Sequence, residues 1–374
     1  VIIVGAGPVG LLTALRLAST GRITTTVLEA LPAVENSPRA MAYQPVAVRE
    51  LDRAGVLPAA RAAGTFGTGV CWRTPRDGEV LAHLERKVAP EYPYENLVVG
   101  QHLLAGVILE KLRGCEGARV VFQRRVVGVE EVDGKVRVTA ETPGGGEEVF
   151  EADYVVGADG GKSAVRRLLG VEFEGYTWPE QLVATNVRYP FKEHGWFDAN
   201  FVCDKDHWAL IAKITEDGLW RVSYGELPGL SHDELRARLP MKYDAMFPGP
   251  RPLKYELEMF APYRIHQRCA STFRVGRVLL AGDAAHLCNP FGGLGLTGGL
   301  LDAAALADCL IAHLLSAEPA TILDKYASVR RDIFRTVVDP TSAANKRRLH
   351  EFASARQMAE EDEFLRSLRS ADAE

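Results

Sequence analysis

The chain opens on a β-branched run, Val1-Ile-Ile-Val4, that passes straight into Gly5-Ala-Gly-Pro-Val-Gly10. No other stretch restricts the fold as much. Leu11, Leu12, Leu15 and Leu17 carry a helix to a stop at Gly21, and Ile23 to Leu28 reads as a second strand ending at Glu29. This is a βαβ unit with G-x-G-x-x-G in its first turn and an acid 19 residues after the last glycine. Gly5 permits the tight turn, Gly7 lets a pyrophosphate approach the main chain, and Gly10 lets the helix pack on the sheet. A carboxylate at Glu29 would accept hydrogen bonds from an adenosine ribose, which disfavours a 2′-phosphate there. A bound dinucleotide is the expectation.

Two later stretches repeat the pattern. Tyr154-Val-Val-Gly-Ala-Asp-Gly-Gly-Lys-Ser-Ala-Val-Arg166 is a strand that ends in an acid and glycines and then opens a helix. Asp159 stands where α/β folds place ligands, although the same carboxylate would also serve simply as a helix cap. Arg277 to Asp302 holds a buried strand (Val278 to Ala281), the turn Gly282-Asp283, a loop containing Pro290, Gly292, Gly293 and Gly295, and a helix opening near Leu296. The loop is stripped of side chains, so a flat ligand can lie on its main chain. The helix start favours something electron-rich.

The length of 374 residues exceeds that at which single cores stop growing, so two domains are expected. From 171 to 270 the pattern turns to strands: Leu182–Val187, Trp196–Cys203, Trp208–Ile214, Leu219–Tyr224 and Tyr255–Arg264. Between them lies a short helix from Ser231 to Leu239, opened by a Ser231/Glu234 capping box. This reads as an antiparallel sheet domain inserted in a nucleotide domain of 1–170 and 271–320, with 321–374 a C-terminal helical region. A smaller antiparallel meander, with Asp133-Gly134 as a hairpin turn, hangs on the nucleotide domain. Trp178, Trp196, Trp208 and Trp220 suit either one wall of an apolar cavity or ordinary sheet core. Lys346-Arg-Arg348 reads as a solvated face.

The net charge of -5 gives no reason to expect a nucleic-acid surface. No apolar run reaches the roughly 18 residues of a membrane-spanning helix, and the first residues are a strand rather than a signal peptide. A cytoplasmic location is therefore expected, with the true start a few residues upstream of Val1. The six cysteines show no metal-ligand spacing, so no metal is expected and reduced thiols are. Arg39 faces either phosphate or solvent, and Gln101, at the start of a helix running to about Arg113, either contacts a ligand or caps.

Jointly, Gly5 to Gly10, Gly157-Ala-Asp-Gly-Gly-Lys-Ser-Ala-Val-Arg166, and Gly282-Asp-Ala-Ala-His286 with Pro290-Phe-Gly-Gly-Leu-Gly295 resemble a known family. In order and spacing they look like the FAD-dependent aromatic hydroxylases of the para-hydroxybenzoate hydroxylase type, from Val1 to about Tyr326. The fold implied is α/β, a Rossmann-like FAD-binding domain with an inserted antiparallel β-sheet substrate domain and C-terminal helices. The activity implied is monooxygenation with non-covalent FAD, NADPH or NADH as donor, and O2. An aromatic or polycyclic substrate, secondary metabolites included, would be hydroxylated or epoxidised through a flavin C4a-hydroperoxide.

The resemblance also implies roles. Gly5, Gly7, Pro8, Val9 and Gly10 would hold the FAD pyrophosphate, and Glu29 with Ala30 the adenosine ribose. Arg39 and Gln101 match cofactor-contacting positions, and the Val126 backbone would meet the adenine. Asp159 and Gly160 belong to a motif tied to FAD and NAD(P)H, and Asp283 would bind the ribityl or pyrophosphate side. Pro290, Gly292 and Gly293 would line the face where oxygen reacts, with Gly295, Leu296 and Thr297 at the anionic edge of the ring. Thr297 stands where many relatives carry Asn, and Leu104-Ala105 replaces a usual acidic residue. No acid or base is identified among His194, His207, His232, His266 and His286; the last is better read as orienting its loop. The alternative is a same-fold flavoprotein reductase or dehydrogenase without oxygen insertion. Oligomeric state stays open.

Overall fold

A computed structural model describes residues 1–35, 41–67, 69–85 and 89–371. The chain packs as two units: residues 1–64, 99–176 and 267–340 form one, and 65–98, 177–266 and 341–374 the other.

The first unit is built on a six-stranded sheet in the order Arg274–Val275, Val278–Leu280, Val155–Gly157, Ile2–Val4, Thr25–Leu28, Ala118–Val121. Ile2 pairs with Val155 on one side and Thr26 on the other, both in parallel register. Only the edge hairpin at Arg274–Val275 is antiparallel. The three glycine motifs therefore leave neighbouring strands at the same end of the sheet, which is where parallel α/β sheets place ligands. The helix Pro8–Ala18 starts with proline at its first position, where a missing N–H costs nothing. Leu11, Leu12, Leu15 and Leu17 are all fully buried. A three-stranded meander of Arg125–Val132, Lys135–Glu141 and Glu147–Ala152 completes the unit, with Asp133 and Gly134 both at positive φ in the expected turn.

The helix Leu294–Ser316 is 23 residues long and apolar enough to meet the length and composition of a membrane-crossing segment, which corrects the expectation that no run reached that length. Its packing is that of a core helix, against Pro8–Ala18, Pro45–Arg53 and Thr321–Ile333, and it buries the charged Asp302 among those elements.

The second unit carries a sheet whose order runs Glu256–Ala270, Phe173–Arg188, Leu219–Glu226, Ala209–Lys213, Ala199–Val202, Gly69–Arg73, Val80–Glu85. The unit boundary cuts the first two of these strands, at 266/267 and 176/177. The expectation of a purely antiparallel insert is corrected in one respect. Ala199–Val202 and Gly69–Arg73 run parallel, with Asn200 opposite Cys71, so the sheet is mixed. That pairing joins segments far apart in sequence, and no local turn signal announces it. The same pairing, and the packing of 341–374, give this unit more of the chain than the expected 171–270.

One face of that sheet is covered by the helix His232–Met246, which keeps the expected Ser231/Glu234 capping box but continues past Pro240 rather than ending at Leu239. Phe191, Trp196, Trp220, Tyr224, Tyr243 and Phe247 form the core between them. Trp196 and Trp220 are thus sheet core. Trp178 and Trp208 instead flank the side chain of Lys346, which is fully buried, and Arg348 is 9% exposed. The reading of Lys346-Arg-Arg348 as a solvated face holds for neither.

Candidate functional site

The N-terminal glycines are explained by what a side chain would strike. A Cβ at Gly10 would collide with the carbonyl oxygen of Gly5, and one at Gly5, held at φ +108°, with the carbonyl oxygen of Ala158. Gly7, which caps the helix Pro8–Ala18, has nothing within 4 Å of its missing Cβ. Two of the three glycines thus seat the helix and the neighbouring motif, and the third leaves open space beside a helix N-terminus. That is the cradle a pyrophosphate needs. Glu29 closes it from the next strand, accepting from Ala6 N–H at 2.7 Å and from Leu31 N–H at 2.9 Å. Each oxygen keeps lone-pair capacity for a sugar hydroxyl. Gln123 and Arg124 donate their backbone N–H groups to Leu31 O and Glu29 O, which sets the buried Val126 on the strand beginning next to this corner, with Ala30 within it.

The first and third motifs meet at Val9. A Cβ at Gly282, at φ +62°, would lie 3.0 Å from the Val9 side chain, and one at Gly299 would lie 2.7 Å from it. Arg166 ties the second motif to the third. It donates to Ala284 O and Gly161 O, each at 2.8 Å, and its guanidinium lies 3.7 Å from the Phe173 ring centroid. Burial lowers the pKa of this guanidinium against the attraction of Asp159.

Asp159 and Asp283, alike in sequence, differ in structure. Asp159 accepts from Ser163 Oγ at 2.5 Å, Ala164 N–H at 2.7 Å and Val165 N–H at 3.1 Å, so its carboxylate caps the helix Ala164–Leu168. Gly160 beside it has φ +78° and open space around its missing Cβ. Asp283 sits in the short turn Gly282–Ala284 with its side chain exposed. The turn is anchored from behind by Asp302, whose buried carboxylate accepts from Gly282 N–H at 3.0 Å, His286 Nε2 at 2.6 Å and Arg330 Nε at 2.7 Å. Burial would raise the Asp302 pKa, but the charges and hydrogen bonds of His286 and Arg330 outweigh it and hold it below the usual aspartate value. His286, stacked between Phe273 and Phe334, orients the loop as expected.

The loop itself is pinned at both ends. Asn289 donates its backbone and side-chain N–H groups to Gln267 Oε1, and its own Oδ1 accepts from Phe291 N–H. Gln44 Nε2 donates to Gly292 O at 2.8 Å, and its backbone N–H to Thr297 Oγ1 at 3.2 Å. The Thr297 hydroxyl thus accepts from the scaffold, tying the helix start to Gln44. Gly293, at φ +65°, ends the loop, and the helix begins at Leu294 rather than near Leu296. Gly295, Leu296 and Thr297 therefore lie in its first turn, where N–H groups lack intrahelical partners. Pro290 and Gly292 precede it, half-buried. Gln101 occupies the first position of the helix Gln101–Arg113, capped by Gly100 rather than by its own side chain. Arg39 lies outside the described residues.

Sequence reasoning missed Gln44, Arg166, Asp302 and Arg330. Asp302 left a signal, an acid early in a strongly apolar helix. Arg166 stood at the end of the second motif, and Gln44 and Arg330 left no signal, because their partners come from distant elements.

The FAD binding domain family matches residues 1–341. The chain is 44% identical over 349 residues to a para-nitrophenol 4-monooxygenase of Pseudomonas sp. strain WBC-3, covering 92% of this chain and 86% of that protein. It is 40% identical over 357 residues to a 6-hydroxy-3-succinoylpyridine 3-monooxygenase of Pseudomonas putida, covering 94% and 88%. The crystal structure of a p-nitrophenol 4-monooxygenase from Pseudomonas putida superposes with a TM-score of 0.92 at 40% identity, covering 99% of this chain and 95% of that one.

Proposed function

The chain belongs to the FAD-dependent aromatic hydroxylase and monooxygenase family, and we propose that its own reaction is hydroxylation of a small single-ring phenol or hydroxypyridine with NADH or NADPH as electron donor. Membership makes it an FAD-dependent oxidoreductase that uses O2 on aromatic substrates. The finer reading rests on one observation. The two relatives at 44% and 40% identity carry the names of monooxygenases of a nitrophenol and of a hydroxypyridine. A ring hydroxyl makes the ring electron-rich, as oxygen-atom transfer requires.

When bound, FAD supplies the two-electron chemistry linking the nicotinamide to O2 and the ring. The chain's residues do the rest. Gly5, Gly7, Pro8, Val9 and Gly10 seat the pyrophosphate, Glu29 and Ala30 the ribose, and Val126 and Gln101 flank the nucleotide. Asp283, exposed on an anchored turn, takes the ribityl side. Asp159 acts through the helix it caps, with Gly160 offering main chain. The first turn at Gly295, Leu296 and Thr297 stabilises negative charge on the ring edge. Pro290, Gly292 and Gly293 form the wall that excludes water from the reacting face.

The test is stimulated oxidation of NADH and of NADPH by nitrophenols, hydroxypyridines and polycyclic phenols, with ¹⁸O2 incorporation read by mass spectrometry. Label in a single-ring product supports the proposal. Stimulation by polycyclic rings alone, or NAD(P)H turnover whose product carries no label, overturns it.

A further inference from the structure

We propose that Asp302 is a positioning residue for the cofactor, converting the placement of the helix Thr321–Ile333 into the geometry of the Gly282-Asp283 turn. The inference rests on the reading that the glycine cradle holds FAD.

Asp302 is fully buried and lies three residues beyond Gly299, on the same face of its helix. Gly299 lets that helix come close: its missing Cβ would be 3.2 Å from Gly282 Cα and 2.7 Å from Val9 Cγ2. The carboxylate therefore reaches the Gly282 N–H directly, at 3.0 Å, across the contact where the turn meets the first residues of the nucleotide helix. A second donor to the same oxygen is His286 Nε2, three residues beyond Asp283. One oxygen thus grips the exposed Asp283 from both sides along the chain.

The other oxygen is held from outside the motif. Arg330 donates Nε to Asp302 Oδ1 at 2.7 Å and Nη2 to Gly298 O at 3.3 Å. Four residues earlier on the same helix, the Tyr326 hydroxyl donates to Leu280 O at 2.8 Å, at the end of the strand feeding the turn. Helix 321–333 therefore fixes both the strand end and the carboxylate. The orientation of His286 follows. Its Nε2–H donates to Asp302, while its Nδ1 is buried with no hydrogen-bond partner among the described residues.

A buried carboxylate with three donors would serve stability alone if the turn had no ligand to place. The two roles separate experimentally. Asp302→Asn, His286→Phe and Arg330→Met are compared with wild type for the FAD dissociation constant, by quenching of flavin fluorescence well below the melting temperature, and for the melting temperature of the apoprotein. A positioning role raises the FAD constant at least tenfold in variants whose circular dichroism is native, with Arg330→Lys returning it to within about threefold of wild type. A constant unchanged in folded variants, with only the melting temperature lowered, overturns the inference. His286→Phe keeps the ring stack and tests the idea should Asp302→Asn fail to fold. Failure of the underlying reading looks different, since wild type itself would then not bind FAD.

Discussion

Lys346 holds its ammonium nitrogen 4.0 Å from the centroid of the Trp178 ring, with no part of the side chain exposed. Trp208 lies 5.1 Å away on another side, Glu180 Oε2 at 3.1 Å, and His350 Nε2 at 3.0 Å. Indole faces attract a cation electrostatically, and a desolvated pair of this kind contributes on the order of 2 kcal/mol. The cluster fastens the helix Asp339–His350 within the sheet unit. Lys346→Ala should therefore destabilise the protein by about 2–4 kcal/mol, the range for breaking a buried pair moderated by the partial exposure of Glu180. Lys346→Met, which retains the stem, should lose less. Denaturant unfolding followed by tryptophan fluorescence measures both, and a Lys346→Met variant as stable as wild type would contradict the cation's role.

His350 makes the same cluster acid-sensitive. Burial, and then Lys346, push its pKa down to about 4 from an ordinary value near 6.5. Between those values the unfolded chain binds the proton and the folded one does not, so stability falls as pH drops from about 6.5 to about 4. The loss attributable to this residue is on the order of a few kcal/mol. His350→Gln should flatten that part of the curve, read as the urea midpoint at pH 7, 5.5 and 4.5. An unchanged slope would refute the assignment.

Gly10 cannot carry a side chain without striking Gly5 O. Gly10→Val should yield protein that retains no FAD, checked by absorbance of the purified sample in the flavin band. A yellow, stoichiometrically loaded variant would sink the glycine argument.

Asp283 and Asp159 should part company under mutation. Asp283→Ala, exposed on its turn, should weaken FAD binding about tenfold or more with little change in melting temperature. Asp159→Ala removes a helix cap and should cost about 1–2 kcal/mol of stability with the smaller effect on FAD. Paired titration calorimetry and thermal melts on both variants measure this, and equal FAD constants would count against the division.

The sequence by itself determined the glycine turn after the first strand, because the requirements there are local and steric. Gly10 is dictated by its close approach to Gly5 O within one turn, and the Ser231/Glu234 box and Asp133-Gly134 hairpin by bonds spanning a few residues. Such constraints are written in neighbouring letters. Tertiary structure alone decided which of two similar acids faces outward. Asp159 found donors in its own helix, while the Asp283 turn was claimed from behind by Asp302, His286 and Arg330. It also decided that Lys346 is buried and that Gly69–Arg73 pairs in parallel with Ala199–Val202. These outcomes depend on partners from distant segments. The free energy of burying a charge or closing a sheet edge is settled by those partners, and no spacing within a single stretch carries it.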